Sequence, residues 1–321
     1  MRAQPPGFAG SGPRRQTFTT ALEQAEQLLR TAAQMGPETR PINLFYGLSQ
    51  GARAVAAALE PDSRAWRPYG HGIDKVGSLD RVITTIQVQD KGEKNGSFAR
   101  MASLLRSPTL PDPVELGDLL AALPLRVPSS SWTDRPRAVI VNNIAQSDGA
   151  VLTLSPHIFA ATHGWPLLDG IRDKPVEERR EQLRMYIDAH YPTLQGFEPM
   201  PEGHVQLIVH EDQMQFTAQL TAESSIGAEA VREQVLYMRT TDVAGQQFAI
   251  PVFAGAVAPC HPTVTLWASL WAMSMLARYE PVRWAKALNV DSSADATALE
   301  EVLEDALTMV PWALVDALSK A

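Results

Sequence analysis

Apolar residues recur at helical spacing over residues 17–33, where Leu22, Ala25, Leu28, Leu29 and Ala32 form one stripe, and this spacing predicts an amphipathic helix. Gly36 and Pro37 stop it. A second stripe of Phe45, Leu48, Ala52, Val55, Ala56 and Leu59 predicts a helix over residues 41–59, with Pro41 suited to its first turn. Over residues 263–279 the pattern changes. From Val264 to Ala277 the chain is apolar almost all the way round, as in a helix buried on several sides. That run is too short to span a bilayer, and His261 and Arg278 close its ends. Glu280 precedes Pro281, and the residue before a proline resists helical geometry, so the helix should end there. Trp267, Trp271, Ser274 and Arg278 fall on one sector of it. Further helices are predicted at residues 282–288, 295–308 and 312–319.

The middle of the chain reads differently. β-branched or alternating runs predict strands at residues 81–89, 138–144, 151–154, 205–210, 214–220, 235–239 and 248–253, with helices at 98–105, 114–123 and 176–190. The expected fold class is α+β: a helical core from both chain ends, residues 16–110 and 262–321, around a mainly antiparallel β-rich insertion, residues 111–261. Residues 1–15, rich in Pro, Gly and Arg, read as a disordered arm. Gly47, Gly51 and the alanines around Val55 leave little bulk, so another helix can approach to roughly 8 Å. The tryptophan-rich helix is the expected partner.

Composition narrows the chemistry. The 321 residues carry 28 Lys and Arg against 36 Asp and Glu, a net charge of −8, which argues against a broad grip on DNA because phosphates need clustered cations. A small local basic pocket is compatible with it. The single cysteine, Cys260, excludes an internal disulfide and any multi-cysteine zinc site. The N-terminal residues lack the apolar run of a secretory signal, and no long apolar window suggests a membrane partner, so a cytoplasmic protein is expected. His157 and His163, and His204 and His210, are spaced by six and match no zinc pattern. No glycine-rich phosphate loop is present, so neither metal nor cofactor is expected.

Two motifs have a bland reading that outweighs the chemical one. Gly47-Leu48-Ser49-Gln50-Gly51 has the G-x-S-x-G form of a hydrolase nucleophile elbow, but a small-residue helix face explains it as well. Arg184 and His190 are six residues apart, about 240° of helix rotation, and sit in a charged stretch that reads as a solvated face. The remaining constellation is Tyr46, Ser49, Arg53, His71, Ser274, Arg278 and Glu280. Tyr46, Ser49 and Arg53 project from one side of their helix, and Arg278 shares its sector with Ser274. If the two helices pair, two arginines converge on one polar cavity. Buried charge needs a partner, so either Glu280 closes an internal salt bridge or an anionic ligand binds there.

At these residues the chain resembles the YaaC-like family. The matching pieces are LFYGLSQGARAVAAAL (residues 44–59), GHGI (residues 70–73), His261-Pro262 and SMLARYEPVRW (residues 274–284). The resemblance spans both helical ends and implies a bacterial, cytoplasmic protein; the family brings no settled activity. Its helical core is similar to HEPN-type domains, which cleave RNA or mediate dimerisation, although here no histidine follows Arg278 at the spacing of those domains.

Three functions follow as expectations. In the first, the helical core binds and cleaves a phosphate-containing ligand, RNA or a nucleotide, with His71, Arg278 and Glu280 catalytic and Tyr46, Ser49, Arg53 and Ser274 holding the ligand. In the second, the protein is a non-catalytic subunit that self-associates or joins a protein partner. The third is a serine hydrolase using Ser49.

Overall fold

The computed structural model describes residues 3–93, 95–125, 132, 135–146, 149–155, 174–194, 198–199, 205–210, 213–222, 241–243 and 245–319. The chain forms two compact units, Met1–Leu120 with Cys260–Ala321 (unit 1) and Ala121–Pro259 (unit 2). In chain order the elements are α1 (Gly12–Gln34), α2 (Arg40–Leu59), β1 (Ile73–Val76), β2 (Gln87–Asp90), α3 (Ser97–Leu104), β3 (Val114–Glu115) and α4 (Leu116–Ala121). Then come β4 (Val139–Gln146), β5 (Gly149–Ser155), α5 (Val176–His190), β6 (Glu198–Pro199), β7 (Val205–His210), β8 (Gln213–Ala222), β9 (Thr241–Val243) and β10 (Gln246–Ala249). The chain closes with α6 (Pro262–Tyr279), α7 (Pro281–Ala287) and α8 (Ala296–Ser319). The class is α+β. No helix among the described residues is long and apolar enough to cross a membrane.

Unit 2 is built on an antiparallel sheet of order β6-β8-β5-β4-β10-β9, with β7 also paired to β8. Its β4–β5 hairpin runs from Ile140 opposite Ser155 to Gln146 opposite Gly149. The strand expected at residues 235–239, and His157, His163 and His204, lie outside the described residues. Inside unit 2, the Tyr191 hydroxyl donates to the Arg137 carbonyl at 2.7 Å, and Val252 N–H donates to the His190 carbonyl at 2.8 Å.

Unit 1 is organised around α2, which is buried on nearly every side. α6 packs along it through Phe45 and Trp267, whose rings meet edge to face at 6.2 Å. As its pattern predicts, α6 is buried from Pro262 to Ser274 with only Leu276 buried beyond. The two glycines of α2 serve different neighbours from the one expected. A Cβ on Gly47 would lie 2.9 Å from Leu29 of α1, and one on Gly51 would overlap the side chain of Leu314 of α8. The thin stripe therefore admits α1 and α8, while the larger Phe45 meets the tryptophan helix. Gly51→Val is expected to lower the unfolding free energy by about 1–3 kcal/mol through overpacking. Pairing it with Leu314→Ala should return part of that loss. Additive effects of the two substitutions in a urea double-mutant cycle would show that this packing account is wrong.

Polar ties lock the helices. Arg40 is buried and donates to the Ala32 and Met35 carbonyls at the end of α1, while its guanidinium also pairs with Glu304 of α8. Trp284 of α7 donates to the Pro37 carbonyl at 3.2 Å.

Several expectations are corrected. Residues 7–15 are no disordered arm: Gly7–Gly10 is a 3-10 turn and α1 starts at Gly12. The anchor is Arg14, which donates to the Glu60 carbonyl at 2.6 Å and stacks over Phe8 and Trp66. Residues 81–89 begin as a 3-10 turn (Ile83–Thr85) and become strand only from Gln87, where pairing with β1 and β3 starts. The first two residues of the expected helix at 114–123 are drawn into that sheet as β3. α8 runs through Pro311 as one helix rather than two. A proline inside a helix costs about 3 kcal/mol. Buried residues on both sides of it, Ala306 and Val310 before and Ala313 and Leu314 after, hold the two halves to the same core.

Candidate functional site

The site lies in unit 1, where α2, the end of α6 and the turn before β1 meet. That turn is Gly70-His71-Gly72, and both glycines have positive φ, 59° and 72°. Backbone bonds pin it on three sides. Tyr69 N–H donates to the Asn95 carbonyl, Phe98 N–H to that of His71 and Lys91 N–H to that of Gly72, each at 3.1 Å. The Ser97 hydroxyl adds a bond to the Gly70 carbonyl at 2.8 Å. Gly72 and Gly96 touch backbone to backbone: a Cβ on Gly96 would stand 2.8 Å from the Gly72 Cα. The consequence is a fixed position for the His71 ring. It meets Phe45 at 5.0 Å and Tyr46 at 6.0 Å, edge to face in both cases.

Arg278 arrives from the last turn of α6. Its guanidinium donates to the Tyr46 hydroxyl at 2.8 Å and to the Tyr279 hydroxyl at 3.1 Å, and it lies over the Tyr279 ring at 4.9 Å. Two segments more than two hundred residues apart are thus joined at Tyr46 and Arg278. Arg53 stands two helical turns after Tyr46 on the same side of α2 and is exposed. Burial, then the charges of Arg278, Arg53 and Lys91 in that order, hold the His71 imidazole below its ordinary pKa. At neutral pH the ring is therefore uncharged and available to take a proton. Its Nδ1 is buried without a hydrogen-bond partner among the described residues. Among those same residues no carboxylate forms an ion pair with Arg53 or Arg278, and Lys91 pairs with Asp74 at 3.2 Å.

Three residues expected in the site stand apart from it. Ser274 is 1% exposed, and its hydroxyl donates to the Trp271 carbonyl at 2.7 Å within α6. A buried hydroxyl committed to its own helix has nothing left for a ligand. Ser49 is buried in the middle of α2, with helix rather than strand before it. A nucleophile elbow needs a sharp strand-to-helix corner, so this geometry removes the serine hydrolase. Glu280 occupies the joint between α6 and α7 with non-helical backbone, and it makes no ion pair with Arg278 among the described residues. The internal salt bridge expected as the alternative reading is therefore not what holds Arg278; two tyrosine hydroxyls do.

Two members of the cluster are missed by sequence reasoning. Tyr279 is visible there only as the neighbour of Arg278. Lys91 is brought in by the β1–β2 hairpin, whose register pairs Lys75 with Val88 and Ile73 with Asp90. No group of three or more candidate metal ligands occurs among the described residues.

A two-unit α+β protein with a helical site of this composition defines a class by architecture, and the comparison with family models makes it specific. The chain belongs to the YaaC-like protein family, whose model matches residues 9–318. No curated protein and no solved structure matches it.

Proposed function

We propose that unit 1 binds a phosphate-containing ligand, a nucleotide or an RNA phosphate, between Arg53, His71 and Arg278. One observation carries this reading: the Arg278 guanidinium, bonded to the Tyr46 hydroxyl at 2.8 Å beside the His71 ring, and the exposed Arg53 on the same side of α2 have no carboxylate ion-pair partner among the described residues. Arginine forks match phosphate oxygens in shape and charge, and a surplus of local positive charge in an acidic chain asks for an anion. Tyr46, bonded to Arg278, orients the guanidinium and offers the ligand its own hydroxyl. On an RNA phosphodiester, the neutral His71 accepts the proton of the attacking 2′-hydroxyl. The P–O5′ bond then breaks, a 2′,3′-cyclic phosphate forms, and the departing 5′ oxygen takes a proton from water. The two arginines stabilise the added negative charge.

Sulfate is a suitable first probe, since its charge does not change near neutrality. An anion in the site offsets the field of Arg53 and Arg278, so the His71 pKa rises on binding and a proton is taken up. Calorimetry in two buffers of different ionisation enthalpy should report that uptake as the pH falls through and below about 6.5, with affinity rising as pH falls. His71→Gln should lose the proton uptake and any RNA cleavage while keeping sulfate binding. No binding of sulfate or inorganic phosphate at millimolar concentration would end the proposal.

A further inference from the structure

We propose that two copies of this chain pair about a two-fold axis through the groove between α1 and α8. The groove is a cavity of about 500 Å³ in unit 1, walled by α1 at Leu22 and Leu29 and by α8 at Pro311 and Val315. Its lining is apolar apart from Glu26 and Arg30. Its lining includes Leu29 of α1 and Leu314 of α8, the same side chains that Gly47 and Gly51 of α2 let sink against the α2 backbone. Two helices thus present a trough into which a helix of the second copy would fit, as in a bundle. Val315, 51% exposed, stands at its rim as an apolar knob with nothing over it among the described residues.

The charges select the occupant. Glu26 and Arg30 form an i,i+4 pair at 2.6 Å, and the point midway between them is the centre of the α1 wall, which runs from Leu22 to Ala33. Turning the molecule by 180° about that centre exchanges the two positions. A second copy therefore sets its Arg30 opposite Glu26 and its Glu26 opposite Arg30, as an isologous interface requires. A foreign acidic or basic helix finds no net sign there to recognise. The groove spans residues 22–33 of α1 and 307–318 of α8, about 18 Å of each helix at 1.5 Å per residue, which is the length that a helix of the second copy would cover.

Sedimentation equilibrium of the full chain at micromolar concentration should show a dimer. Glu26→Arg and Arg30→Glu should each weaken it at least tenfold, because either variant alone places four like charges around the axis. Mixing the two variants should restore the dimer. The arginine introduced in one copy then meets the glutamate introduced in the other, and the second contact is the native one. Circular dichroism checks that both variants fold. Val315→Lys, an exposed change, should also give a monomer and serves if a charge variant does not fold. A monomeric wild-type chain overturns the proposal and leaves the groove to an apolar ligand or a foreign helix. A dimer unaffected by these substitutions overturns it by showing that another surface pairs. Failure of the mixed variants to associate overturns the exchanged contact on which it rests.

Discussion

Replacing Arg53 and Arg278 together by alanine is expected to abolish phosphate and sulfate binding while leaving the fold intact. Each guanidinium would give an anion charge-assisted hydrogen bonds worth about 1.5–3 kcal/mol. A single loss should then weaken binding by about ten- to a hundred-fold, and the double loss should take it beyond detection. The fold should survive because Arg53 is exposed and unpaired among the described residues, and the bonds of Arg278 to Tyr46 and Tyr279 are exposed as well. Arg278→Lys sharpens the test. Lysine keeps the charge but not the planar fork that spans two tyrosine hydroxyls, so it should recover less than half of the lost binding free energy. Unaltered affinity in the double variant would remove the site. Loss of cooperative urea unfolding in Arg278→Ala alone would reassign that residue to structure.

Glu60→Ala is expected to lower the unfolding free energy by about 3 kcal/mol, because it strands the partner of a buried ion pair. Glu60 follows the last turn of α2, and its carboxylate meets Arg100 of α3 at 2.8 Å with the two side chains 7% and 16% exposed. The other oxygen accepts the Asp62 N–H at 3.1 Å, and the Glu60 carbonyl accepts Arg14 at 2.6 Å. A carboxylate at the end of a helix faces the negative pole of its dipole, so it persists there only with these cations beside it. Their contacts bring together α1, the end of α2, and α3. Glu60→Gln keeps the shape and some hydrogen bonding and should cost less than alanine. The midpoint of urea unfolding measures both. A change below about 1 kcal/mol would mean that the pair is worth no more than an exposed salt bridge.

Periodicity locates the principal helices of unit 1 well because each has a pattern visible within its own span. α2 and α6 end where Leu59 and Pro281 lead one to expect. Pairing partners are harder to read. The glycines at 47 and 51 announce a close helix approach, yet a stripe of small residues does not say which neighbour uses it, and Leu29 and Leu314 do. The same limit governs the site. Tyr46, Arg53 and Arg278 can be chosen as the cationic or phenolic side chains of two otherwise apolar helices. Ser49 and Ser274 share that spacing, but their hydroxyls are enclosed within the core. Lys91 is invisible because only the β1–β2 pairing carries it to His71.

By itself the sequence determined the α+β class, the all-round burial of α6, its end before Pro281 and a net negative chain, since these depend on residues close together or on sums over the whole. Tertiary structure decided which cations face one imidazole, which hydroxyls are closed off, and where an apolar groove stays open. Those depend on contacts between distant segments, for which side-chain volume and backbone register set the outcome and local pattern supplies no rule.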